Sequence, residues 1–227
     1  MKKELLMVLP LALGLLFMPG TASGQGLEAY DYENLDFRGF SLEGGYLWPS
    51  RVDPAYSVGV RVDMGYLGPG LRIVPGISYW SSSLKGEEVA ELEGKVDQLI
   101  LDQVTPGPGW SGTDLGVVDW SDLALTLDAH LVWSVPFGFL SFAGIGFSAH
   151  IMNGEGDAIA GTFVEDLLDT VSPGFNFHGG LEYPFSDLFR LYAQARYEFL
   201  EDLRYPELRM GGQIMVGPSM PDESRAP

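Results

Sequence analysis

The chain has 227 residues, with 13 Lys and Arg against 31 Asp and Glu, three histidines and no cysteine. That length suits one domain, and the absence of cysteine excludes disulfides, thiolate metal sites and a cysteine nucleophile. A formal charge of −18 denies a phosphate backbone the basic surface it needs, so no nucleic-acid partner is expected.

Residues 1–24 read as a cleaved secretory signal. Lys2 and Lys3 precede an apolar run from Leu5 to Met18, and Ala22-Ser23-Gly24 supplies small residues for cleavage before Gln25. Without Lys2, Lys3 and Glu4 the chain carries 11 bases and 30 acids. A short N-terminal segment, 25–37, follows. Nothing later is apolar for long enough to form a transmembrane helix.

From 38 to 217 the sequence alternates with period 2 in eight segments, and successive strand residues point to opposite faces. The first sets Phe40, Leu42, Tyr46 and Trp48 against Gly39, Ser41, Glu43 and Gly45. The second sets Tyr56, Val58, Val60, Val62 and Met64 against Ser57, Gly59, Arg61 and Asp63. The third sets Ile73, Ile77 and Tyr79 against Arg72, Gly76 and Ser78. The fourth sets Leu123, Leu125, Leu127, Leu131 and Trp133 against Thr126, Asp128, His130 and Ser134. The fifth, Phe137 to Ile151, places Ile145 on the apolar face but puts Leu140 and Phe142 in the otherwise small or polar phase. The sixth opposes Phe175, Phe177, Leu181 and Tyr183 to Asn176, His178 and Glu182. The seventh opposes Phe189, Leu191 and Phe199 to Arg190, Arg196 and Glu198, and the eighth opposes Leu208, Met210 and Ile214 to Arg209 and Gln213.

The apolar faces carry no charge and begin or end in aromatics, as at the two interfaces of a bilayer. Phe40, Leu42, Val58, Val60, Val62, Ile73, Leu125, Leu127, Leu131, Ile145, Phe177, Leu191 and Ile214 are therefore expected to face lipid. The polar faces balance Glu43, Asp63, Asp128, Glu182 and Glu198 against Arg61, Arg72, Arg190, Arg196 and Arg209. Together with His130 and His178 these are expected to form a paired network inside a closed wall, since an unpaired buried ion is costly. All of the net charge would then lie in loops and tails, with Asp122 assigned to the preceding loop.

The connections alternate between tight turns (67–70, 136–138, 184–188) and other loops (49–55, 80–121, 152–173, 200–206). Short turns on one side and longer loops on the other are the pattern of an outer-membrane barrel with both termini in the periplasm. A helix is expected over 87–104, where Val89, Leu92, Val96, Leu99 and Ile100 share a face, and a shorter one over 162–171. The last ten residues, 218–227, read as a disordered polar tail.

Strand count, alternation and turn pattern resemble the small eight-stranded outer-membrane proteins, the group of the OmpA transmembrane domain, OmpX and OmpW, over about 38–217. The resemblance implies an all-β, up-and-down transmembrane barrel of eight antiparallel strands, with helices in two long loops. It implies a monomer whose wall contacts outer-membrane lipid and whose loops 80–121 and 152–173 meet any surface ligand or protein. One departure is the end of the last strand, Ile214-Met215-Val216 and then a tail, where such proteins usually end on an aromatic residue.

The function expected is structural or surface-interacting, with no enzymatic role, no metal and no cofactor. The alternatives weighed are small-solute transport through a narrow or lateral opening, aided by Leu140 and Phe142, and a lipid-modifying enzyme. For the latter, Asp128, His130, Ser148, His150 and His178 would have to converge. A soluble lipocalin-type barrel would need the opposite polarity. The acidic stretch 153–157 lacks the full ligand spacing of an EF-hand.

Overall fold

The computed structural model describes residues 30–216; the expected signal segment and tail, and residues 25–29, lie outside that range. The strands are β1 (Gly39–Leu47), β2 (Ala55–Asp63), β3 (Tyr66–Gly68), β4 (Leu71–Ser83), β5 (Asp119–Val135), β6 (Phe139–Glu155), β7 (Thr170–Ser186), β8 (Phe189–Leu200) and β9 (Arg204–Met215). Helix α1 (Gly86–Gln103) lies between β4 and β5, and α2 (Phe163–Leu168) between β6 and β7.

Neighbours in sequence pair antiparallel, and β1 closes the sheet by pairing with β9 from Gly39↔Met215 to Leu47↔Glu207. Both β2 and β3 pair with β4, so they occupy one position in the wall. Between them the chain bulges at Met64-Gly65, where Gly65 has φ +75° and its N–H bonds the Asp63 carboxylate at 2.9 Å. An added residue in one strand of a pair is accommodated by such a bulge, and glycine supplies the positive φ without steric cost. The result is a closed barrel of eight wall strands.

The strands run further than the hydropathy pattern suggests, which corrects the expected loops. Ser81–Ser83 pair with Asp119–Ser121, and those residues pair in turn with Asn153–Glu155. Thr170–Pro173 pair with Ala149–Met152, and Arg204–Pro206 with Tyr197–Phe199. The loops are therefore 84–118, 156–169 and 201–203 rather than 80–121, 152–173 and 200–206. At these ends the inner face turns apolar, as at Trp120, Met152 and Tyr205, while the outer face turns largely polar or small, so the apolar-out alternation is lost while the backbone ladder continues. Phe137 is likewise not a strand residue. It stands at the apex of the 136–138 turn with φ +68°.

Helix α1, with 18 residues, matches within one residue at each end the helix expected over 87–104, and it lies across the open end of the barrel. Its Val96 is buried and Val89, Leu92 and Ile100 pack beside it, against Leu47, Trp80, Leu84, Trp120, Met152, Leu203 and Tyr205. Val164 and Leu168 of α2 join the same cluster. The loop after α1 is fastened back onto it, Thr113 N–H donating to Asp97 (2.8 Å) and Leu115 N–H to Glu93 (2.9 Å). Lys85 donates to the carbonyls of Pro49 and Ser50 at 2.9 and 2.7 Å, and Arg51 pairs with Glu88 at 2.7 Å. On the outward face of α1 a hydrogen bond from Lys95 holds the Glu91 carboxyl below its ordinary range. Among the described residues no helix is long and apolar enough to cross a membrane.

Candidate functional site

Alternation places one residue in two of every strand inside the barrel, and the inner phase is where the charges are. Glu43, Arg61, Asp63, Arg72, Asp128, His130, His178, Glu182, Arg190, Arg196, Glu198 and Arg209 are all buried. They fall into three connected groups.

Towards the end bearing the termini, the Arg72 guanidinium grips both oxygens of Glu182, and Arg190 reaches the same carboxylate at 2.7 Å. Asp63 lies 3.7 Å from Arg72 and accepts from Gln213 at 2.9 Å. Midway up, Glu43 is held by Arg61 (3.0 Å), Arg209 (2.8 Å) and the Tyr192 hydroxyl (2.7 Å). Arg61 also stacks over the Tyr192 ring at 4.1 Å and donates to Gln194 at 2.6 Å. Across the lumen Arg196 bridges Asp128 (2.9 Å) and Glu198 (2.7 Å). Planar guanidinium groups suit this role because each can serve two carboxylates at once.

Two further acids belong to this interior and correct the expected balance of five against five. Asp122, assigned to a loop by its sequence neighbours, is buried in β5 and accepts from His150 Nδ1 at 2.7 Å. Glu207 is buried in β9, pairs with Arg209 at 2.7 Å and accepts from Ser57 at 2.5 Å. Both share the inner phase of residues already recognised, Asp128 and Arg209. Among the described residues the lumen thus holds seven buried acids and five buried arginines.

Space for these long side chains comes from inner-phase glycines. A Cβ at Gly146 would overlap the Asp128 carboxylate, and one at Gly180 would overlap the Phe142 ring and the Ala193 carbonyl. Leu140 and Phe142 lie inside, with Val132, as an apolar cap at the terminal end; the His130 ring stacks on Phe142 at 4.7 Å. Between Arg72, Asp63, His130 and Glu182 a cavity of about 10 Å³ remains, room for about one water and no solute.

Two constellations have the residue types of chemistry. Asp128, His130 and His178 bring ligand atoms within 4.8 Å of one another. However, His130 Nδ1 lies 3.0 Å from Arg72, which can only donate, so the neutral ring carries its proton on Nε2. Asp128 is already committed to Arg196. In the second, Asp122, His150 and Ser148 follow the order of a hydrolase triad, with contacts of 2.7 and 3.0 Å. Here Ser148 lies 2.5 Å from Glu198 and gives its single proton to that carboxylate. His150 then donates to Asp122 and to Ser148, leaving no lone pair with which to accept a proton. The group is buried beneath the apolar lid.

The outer wall is apolar. Phe40, Leu42, Val58, Val60, Leu125, Leu127, Leu131, Ile145, Phe177, Leu191 and Ile214 are exposed, and Val62 and Ile73 are half-buried. Tyr46 contacts Trp48 and Tyr56 near the loop end, and Phe139 contacts Tyr183 near the terminal end.

No protein-family model and no curated protein sequence matches the chain. Solved structures do. Neisserial surface protein A superposes with a TM-score of 0.53 at 12% identity, over 78% of this chain and 96% of that one. Ail, the attachment invasion locus protein of Yersinia pestis, gives 0.42 at 9% identity over 80% and 99%. The N-terminal β-barrel domain of Pseudomonas aeruginosa OprF gives 0.44 at 13% over 78% and 97%. Closed eight-strand topology, apolar exterior and the superposition on the neisserial protein agree: this chain has the fold of the small eight-stranded outer-membrane barrels.

Proposed function

We propose that the chain spans a bacterial outer membrane as a sealed, non-enzymatic barrel, with its termini in the periplasm, and that it acts through the surface built by its loops. The observation that carries this is the inverted polarity of the wall. Five arginines and seven acids are enclosed, while Leu125, Leu127 and Leu131 stand exposed in a row on β5. In water that arrangement would solvate hydrocarbon and bury ions. In a bilayer the hydrocarbon meets lipid, and the enclosed, paired interior is where the ions cost least.

The sealing is supported twice over, by the ion-pair network and by α1 with its apolar cluster above. The absence of an enzymatic role is supported by the hydrogen bonding of Ser148 and His150, which spends the groups a triad would need. The surface role is supported by charge: counted over 48–54, 84–119, 155–169 and 201–204, the loop end bears 16 acids against four bases.

Two measurements test the reading. Membrane-extracted protein should run faster on a gel unheated than boiled, as a folded barrel does. In planar bilayers it should give no single-channel steps. Release of the protein by alkaline washing without detergent would overturn the membrane assignment, and clear conductance steps would overturn the seal.

A further inference from the structure

The wall is not level at the loop end. β7 pairs with β6 as far as Met152↔Thr170, but β8 stops at Leu200, opposite Gly174. Residues 170–173 therefore extend four residues past the end of β8, with β6 as their one strand partner. The position of Pro173 fixes which backbone groups face the gap. Proline cannot donate, and within sheets it sits where its nitrogen needs no partner. Its phase therefore points away from β6, and so does that of Val171, which offers an N–H and a C=O across the gap.

A cleft of about 330 Å³ opens beside this edge, and a second hollow of about 430 Å³ adjoins it, sharing Arg51, Glu88 and the 200–203 turn. Its floor is apolar, including Leu92, Leu167 and Leu203. Its two bases are already engaged, Arg51 with Glu88 and Lys95 with Glu91. Glu201 and Asp202 on the opposite lip are exposed.

We propose that this notch docks an extended, cationic segment of a partner protein, which adds as a strand to the edge of β7. Main-chain pairing to Val171 supplies register, apolar side chains of one face enter the cleft, and lysine or arginine side chains of the other meet Glu201 and Asp202. The acidic loop end concentrates such a partner by long-range attraction. This rests on the reading that the loop end faces outward from an outer membrane.

The test uses the full chain in zwitterionic lipid nanodiscs and a capped eight-residue peptide of alternating lysine and valine, with binding read by fluorescence anisotropy. Saturable binding should weaken at least fivefold in Val171→Pro, which removes the backbone donor facing the gap, and at least tenfold in Glu201→Lys/Asp202→Lys. The glutamate-for-lysine peptide should not bind. Absence of saturable binding, or affinity unchanged in Val171→Pro, overturns strand addition. Affinity unchanged by the charge reversals overturns the cationic partner. Each variant is first checked for heat-modifiable mobility, so failure of the barrel itself is read separately from failure of the notch.

Discussion

At the scale of single residues, the interior is governed by an asymmetry between its cations and its anions. Each buried arginine serves two acceptors, as Arg72 serves Glu182 and His130, and Arg196 serves Asp128 and Glu198. Removing one leaves the carboxylates short of positive charge in a water-poor lumen that already holds more acids than arginines. Arg72→Met should therefore lower stability by about 3–5 kcal/mol, measured by guanidinium unfolding from lipid vesicles. Arg72→Met/Glu182→Gln should recover a substantial part of that loss, because the excess negative charge is removed and Arg190 keeps Asp63 beside it. Glu207→Gln should cost under about 1 kcal/mol, since Arg209 keeps Glu43 and the lumen is richer in acids than in arginines. An Arg72→Met cost no larger than that of Glu207→Gln would contradict the network as drawn. The inner phase of these residues was legible in the sequence, because alternation needs no partner to be read. What they pair with was not: Arg61 reaches Gln194, which is 133 positions away. Asp122 and Glu207 were missed because each stands towards a strand end, beside Ser121 and Pro206, where strand and loop look alike in sequence.

At the scale of elements, the eight wall strands could be read because each has one greasy and one polar face, and the tight turns marked where they reverse. The bulge at Met64-Gly65 could not, because one inserted residue changes the register without changing the hydropathy. The helical spacing of Val89, Leu92, Val96 and Ile100 announced α1 but not its resting place. Such a stripe more often packs on its own barrel mouth than on a membrane surface or a partner, and the apolar ring of Leu47, Trp80, Trp120 and Tyr205 decides for the mouth. The lid and the lumen are separately built. Below the ring the contacts are ionic and belong to the strands; above it they are apolar and belong to the loops. Replacing 86–117 with a short glycine–serine linker should accordingly leave heat-modifiable mobility intact, since no wall strand is removed. The shortened protein should also remain non-conducting, because the ion pairs are untouched. Conductance appearing on loss of α1 would show that the helix, and not the network, makes the seal.

At the scale of the whole molecule, the charge is partitioned by compartment. The loop end carries a large excess of acids, the outer wall carries none, and the lumen is nearly paired. Such a division has a physical reason only if a hydrocarbon layer separates the two ends. On β5 the outward-facing apolar residues run from Leu123 to Trp133, and at about 3.3 Å per residue and about 40° of tilt they form a band about 25 Å tall, the height of an outer-membrane hydrocarbon layer. The band predicts a depth profile. Leu127→Arg, near its middle, should cost about 2–4 kcal/mol in vesicle unfolding, and Leu123→Arg, near its upper edge, about 0–1 kcal/mol. Both side chains are exposed, so packing loss is comparable and the difference isolates the surrounding medium. In water the two substitutions would be equally mild, because a surface arginine costs little there. Equal and small effects would therefore place the wall in solvent and remove the basis of the membrane assignment.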